Sequence, residues 1–146
     1  MSQNDTPRAV SPAQIEDLRH RALAVATNAY APYSHFRVGA ALLLEDGNSV
    51  TGCNVENASY RLTTCAEQAA IAAAVALHGL TIRLQAVVIV NLNNAASQPC
   101  GACRQTIYEF STPSTEVFFP AADGSLTRST AAELLPHAFR LSTENL

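Results

Sequence analysis

The chain has 146 residues, of which 48% are hydrophobic and 14% charged, with a formal net charge of −3. That length suits one domain, expected to span residues 1–146, and the apolar share excludes an intrinsically disordered chain. All nine basic residues are arginines, scattered from Arg8 to Arg140 without a basic stripe, so nucleic acid is not an expected partner. The longest unbroken apolar run, 69–77, is too short to cross a bilayer, so no membrane partner is expected. Residues 1–12 are polar and lack the apolar run of a secretory signal, and 1–10 are expected to be flexible. A soluble cytoplasmic protein follows, in which four cysteines read as ligands or free thiols in preference to disulfides. So few charges also imply that sister subunits cover part of the surface.

In chain order, residues 11–30 read as a helix. Ser11 caps it, Pro12 suits its first turn, and Ile15, Leu18, Ala22, Val25 and Ala29 recur at helical spacing. Pro32 ends it. Two apolar runs, 36–44 and 49–55, flank an Asp46-Gly47 turn signal and predict a β-hairpin. Residues 64–77 are alanine-rich and helical, closed by Gly79. A buried strand over 84–92, a polar loop over 93–99 and a helix over 100–110 follow. A strand over 117–120, an Asp123-Gly124 turn, a further strand near Leu126 and a short helix over 130–135 complete the chain. Strands alternating with helices predict a layered α/β domain with a mixed sheet, its hairpin antiparallel and its later strands parallel.

Two short motifs carry chemistry: Thr64-Cys65-Ala66-Glu67 and Pro99-Cys100-Gly101-Ala102-Cys103. Each lies where a helix begins. Unpaired N–H groups and the positive end of the helix dipole lower thiol pKa values there, and thiolates are the form that binds zinc. Cys100 and Cys103 can share one metal, with Cys65 arriving from the other helix. Three cysteines leave one tetrahedral position open, the mark of a catalytic zinc, where water is acidified toward neutrality. Glu67, two residues after Cys65, is placed to move that proton. A Cys-x-Glu followed by Pro-Cys-x-x-Cys matches the signature of zinc deaminases.

With these motifs, the chain resembles the short, homotetrameric cytidine deaminases over nearly its whole length. Three further stretches carry the resemblance: Tyr33-Ser34-His35-Phe36-Arg37-Val38-Gly39-Ala40-Ala41, Gly52-Cys53-Asn54-Val55-Glu56-Asn57-Ala58-Ser59-Tyr60, and Leu134-Leu135-Pro136-His137-Ala138-Phe139. The resemblance implies a layered α/β/α fold with a mixed five-stranded sheet and one Zn²⁺ per subunit. It implies hydrolytic deamination of cytidine and 2′-deoxycytidine in pyrimidine salvage. It assigns Asn54 and Glu56 to the ribose 3′-hydroxyl, Phe36 to the pyrimidine face and the Ala66 backbone to the base. Tyr60 and Phe139 match positions that reach a neighbouring subunit's site. Many family members carry arginine directly after the catalytic glutamate, where it offsets thiolate charge. This chain has Gln68, which can hydrogen-bond sulfur but brings no charge, so helix N-termini must compensate more.

Other readings stand beside these. Cys53 reads as core packing, with a fourth ligand in a closed zinc module as its rival. Asn54 and Glu56 lie at a strand end, where turn formation or a solvated surface is the ordinary role. His20, His35, His78 and His137 share no metal-like spacing. Gln68 leaves room for a deaminase of an N4-substituted or otherwise modified cytosine nucleoside, or of a nucleoside antibiotic.

Overall fold

The computed structural model describes residues 9–143. Its elements run α1 (Pro12–Ala26), β1 (Val38–Leu44), β2 (Ser49–Cys53), a 3₁₀ turn (Tyr60–Leu62), α2 (Ala66–His78), β3 (Leu84–Asn91), α3 (Gly101–Glu109), β4 (Ser111–Pro120), β5 (Leu126–Thr130) and α4 (Ala131–Leu134). The five strands form one sheet in the order β2-β1-β3-β4-β5. The mixed five-stranded sheet expected from the sequence is present.

Alternation along the central strands builds two apolar layers. Ala40, Leu42, Val87, Ile89, Val117 and Phe119 face α2, α3 and α4. Ala41, Leu43, Ala86, Val88, Val90 and Phe118 face α1. The result is the α/β/α layering. Of residues 1–10, 1–8 lie outside the described residues, and Val10 is buried in the α1 layer.

Two boundaries and one strand direction differ from the sequence reading. Helix α1 stops at Ala26, not Tyr30, because Thr27 Oγ1 donates to the Ala24 carbonyl and Tyr30 leaves to pair with Val55. Strand β4 begins at Ser111, six residues before the expected start. Its first half is polar and contains Pro113, and Thr115 Oγ1 fills the irregular ladder by donating to Leu84 O at 2.7 Å. Of the later strands only β3 and β4 are parallel, linked through α3, whereas β5 runs antiparallel to β4. The Asp123-Gly124 turn joining them is too short for a parallel crossover. Gly124 there has φ +86°, a conformation glycine adopts without strain.

Gly52 sets how closely α2 sits on the sheet. A Cβ at Gly52 would lie 2.3 Å from Ala70 N and 2.8 Å from Ala66 O, both backbone atoms of the helix that carries Glu67. Gly52→Ala should therefore cost about 1–3 kcal/mol, as overpacking in a close-packed interior does. Gly101→Ala, whose Cβ would meet nothing within 4 Å, serves as the control expected to be near neutral. Equilibrium denaturation of the two variants checks the contrast.

Candidate active site

The N-termini of α2 and α3 meet beside the start of β1, where Val38 shares a cavity with their cysteines. Cys65 is the N-cap of α2 and Cys100 the N-cap of α3, both in extended backbone conformation. Cys103 N–H donates to Cys100 Sγ at 3.4 Å, so the cap interaction itself aims that sulfur at the first turn. Cys65, Cys100 and Cys103 bring their sulfurs within 4.8 Å of one another. Zinc–sulfur bonds of about 2.3 Å in a tetrahedron place sulfurs about 3.8 Å apart, so a contraction of at most about 1 Å closes the three on an ion. Cys53 is not in this cluster. It lies half-buried at the end of β2.

The electrostatics suit a cation. Cys65 is held down to about 7, chiefly by the hydrogen bond from the Cys103 thiol. Cys103 is pushed up because it donates that bond, is desolvated and faces Glu67. Cys103 thus holds a proton that a soft divalent cation would displace. The helix dipoles add positive potential from two directions. Gln68 meets this shell through the backbone: its Oε1 accepts from Cys65 N–H at 3.5 Å and so closes the start of α2. The charge compensation that Gln68 does not bring falls to the helix ends.

Glu67 lies in the first turn of α2 and is only 5% exposed. Burial pushes its carboxyl up, against the smaller opposing effects of its own N–H and of the Cys103 thiol. That thiol donates to Glu67 Oε2 at 3.4 Å. A cation on the cysteines would act on Glu67 in the opposite sense. A carboxyl pulled both ways, beside a metal shell, is suited to accept a proton and release it.

Glu67 and the three cysteines open into a cavity of about 170 Å³, lined also by Val38, Asn54, Thr63, Ala66, Ser97 and Gln98. A second hollow of about 270 Å³, lined by Tyr33, Ser34, Glu56 and Tyr60, shares Thr63 with it. Together they reach the range of small-molecule sites, which begins at about 300 Å³. Asn54 and Ala66 therefore line the metal end and Glu56 the outer end. Phe36 is half-buried and lines neither hollow; its carbonyl accepts from Asn54 Nδ2 at 2.8 Å. Tyr60 and Phe139 are 75% and 69% exposed, and the Tyr33 and Tyr60 rings stand 6.0 Å apart.

With this geometry in place, the family model for the cytidine and deoxycytidylate deaminase zinc-binding region matches residues 12–119. The chain belongs to the cytidine and deoxycytidylate deaminase family. The cytidine deaminase of Sporosarcina psychrophila is 46% identical over 111 residues, covering 76% of this chain and 80% of that protein. That of Mycobacterium tuberculosis is 44% identical over 124 residues, covering 85% and 88%. A crystal structure of the M. tuberculosis cytidine deaminase has a TM-score of 0.76 at 42% identity, covering 86% of this chain and 97% of that one. The cytidine deaminase structure from Burkholderia pseudomallei gives 0.77 at 42%, covering 85% and 98%.

Within this deaminase, some contributors were not singled out from sequence. Arg104, one turn after Cys100, donates to Pro99 O at 2.8 Å, to Leu134 O at 3.0 Å and to Gln98 Oε1 at 3.2 Å. It ties the cavity-lining 97–99 loop to α3 and to the end of α4. The only sequence signal was its i,i+4 relation to Cys100. Cys53→Ala is expected to keep full zinc content and turnover, since Cys53 lies outside the sulfur cluster. Metal analysis of the purified variant checks this; a loss of zinc would restore the four-cysteine reading.

Proposed function

We propose that this chain hydrolyses cytidine and 2′-deoxycytidine to uridine and 2′-deoxyuridine with release of ammonia, as a pyrimidine-salvage enzyme of the cytoplasm. The observation that carries the reading is a buried Glu67 in hydrogen-bond contact with one of three clustered cysteines, all opening into one cavity. Cys65, Cys100 and Cys103 would hold the zinc, one per subunit. When bound, zinc supplies the Lewis acidity that makes water a nucleophile near neutral pH.

Glu67 takes the proton that water loses on bonding to C4 of the ring and delivers it to N3. It then takes the proton of the new C4 hydroxyl and gives it to the exocyclic nitrogen as the C4–N bond breaks, so ammonia leaves, the C4 carbonyl forms and the carboxylate is restored. The Ala66 backbone and Val38 border the base, and Phe36 packs on its face. Asn54 and Glu56 read the sugar. A pocket with a carboxylate and an amide turned to a sugar hydroxyl favours a free nucleoside and rejects analogues that leave those groups unpaired. The exposed Tyr60 and Phe139 fit a homotetramer in which each contributes to a neighbour's site.

Incubation with cytidine in ¹⁸O-labelled water tests the reaction. Uridine labelled at C4, with one ammonia per uridine, is expected. Unchanged cytidine, or unlabelled uridine, would overturn it.

A further inference from the structure

We infer that Ser34 is a positioning residue for substrate recognition, one that turns Glu56 into a directional reader of a sugar hydroxyl. The inference rests on the nucleoside reading above and deepens it. It starts from hydrogen-bond capacity. A carboxylate offers about four acceptor sites. In Glu56, Oε1 accepts from Tyr33 N–H at 3.0 Å and from Ser34 N–H at 3.1 Å, which fills that oxygen. Oε2 accepts from Ser34 Oγ at 2.5 Å. One acceptor site remains, on Oε2, and Ser34 decides where it points.

Ser34 is itself fully committed. Its single hydroxyl proton goes to Glu56, and its oxygen accepts from Phe36 N–H at 3.0 Å. It therefore has no proton to give a ligand, and its part is to hold two other groups in register. One is the carboxylate assigned to the sugar; the other is the backbone of the residue assigned to the base. The strand beside it closes the same frame: Tyr30 N–H donates to Asn54 O and Glu56 N–H donates to Tyr30 O. Asn54 completes it by accepting from Val38 N–H and donating to Phe36 O. Without the hydroxyl, Oε2 has two open sites and the carboxylate is held through Oε1 alone, so a sugar hydroxyl meets a less ordered acceptor. The Ser34 bond is also the largest influence keeping the Glu56 carboxyl below its ordinary range, which keeps Glu56 an acceptor only.

The test compares cytidine with 3′-deoxycytidine as substrates of the full-length, zinc-loaded protein. Ser34→Ala is expected to raise KM for cytidine about three- to tenfold, the loss of one modest hydrogen bond, with kcat within about twofold. KM for 3′-deoxycytidine should rise less, because only the lost Phe36 N–H bond bears on it, so discrimination between the two contracts. Ser34→Thr should restore it. Ser34→Cys keeps the side-chain shape with a much weaker donor, and contracts the ratio as well should the alanine variant not fold. A purely structural role would raise KM for both nucleosides alike and leave the ratio unchanged. That result, in a wild type that does discriminate, overturns the inference alone. A wild-type protein that turns over neither nucleoside, or both equally, overturns the underlying reading with it.

Discussion

Glu67→Gln is expected to lower kcat by about 10²–10⁴-fold, the usual contribution of a positioned acid–base group, while leaving zinc content and fold unchanged. The expectation follows from what the substitution preserves. Glutamine is isosteric, so it fills the same buried place in the first turn of α2. It keeps α2 in place because Ala66 and Ala70 on either side remain buried. What it lacks is the ability to take a proton and give it back. Steady-state kinetics with cytidine, alongside metal analysis, separate the two effects. A Glu67→Gln variant holding full zinc and turning over cytidine at the wild-type rate would falsify the proton-shuttle role.

Removal of zinc is expected to abolish turnover and to destabilise the fold together. Cys103 is buried, its thiol is hydrogen-bonded to Glu67, and its partners Cys65 and Cys100 cap two different helices. An ion bridging all three ties the N-termini of α2 and α3 to one point. Ligand linkage then adds about 4 kcal/mol of stability when free zinc exceeds its dissociation constant a thousandfold. Chelation should lower Tm and extinguish activity, and zinc should restore both. Cys103→Ser should mimic chelation in turnover. A Tm that does not respond to chelation would mean that the metal does not bridge the two helices.

The parts of this site that were legible in the sequence share one property: their meaning lies in short spacings. Cys65 and Glu67 are two apart and Cys100 and Cys103 three apart, each pair at a helix start, so local geometry alone brings them together. Strands β1 and β3 were legible for a similar reason, as largely apolar runs, and β2 through the Asp46-Gly47 turn signal before it. Where long-range contacts decide, the sequence was silent. Arg104 takes its meaning from Leu134, thirty residues away, and Ser34 from Glu56, twenty-two away. The first half of β4 reads as loop because Pro113 and its polar neighbours give no strand pattern; its pairing with Leu84 is imposed by the tertiary fold. Phe36 stands apart from both hollows, with its carbonyl held by Asn54, so its part at the base is read from the family resemblance and not from the lining of the cavity.

Titration of metal-free protein with zinc, while cytidine conversion is followed by the loss of its absorbance, tests the central claim most directly. The expected result is no turnover before zinc is added, a rise in proportion to bound zinc, and a plateau at one equivalent per chain. Turnover that precedes zinc, or fully loaded protein that leaves cytidine unchanged, would contradict the assignment of Cys65, Cys100, Cys103 and Glu67 to a zinc deaminase site.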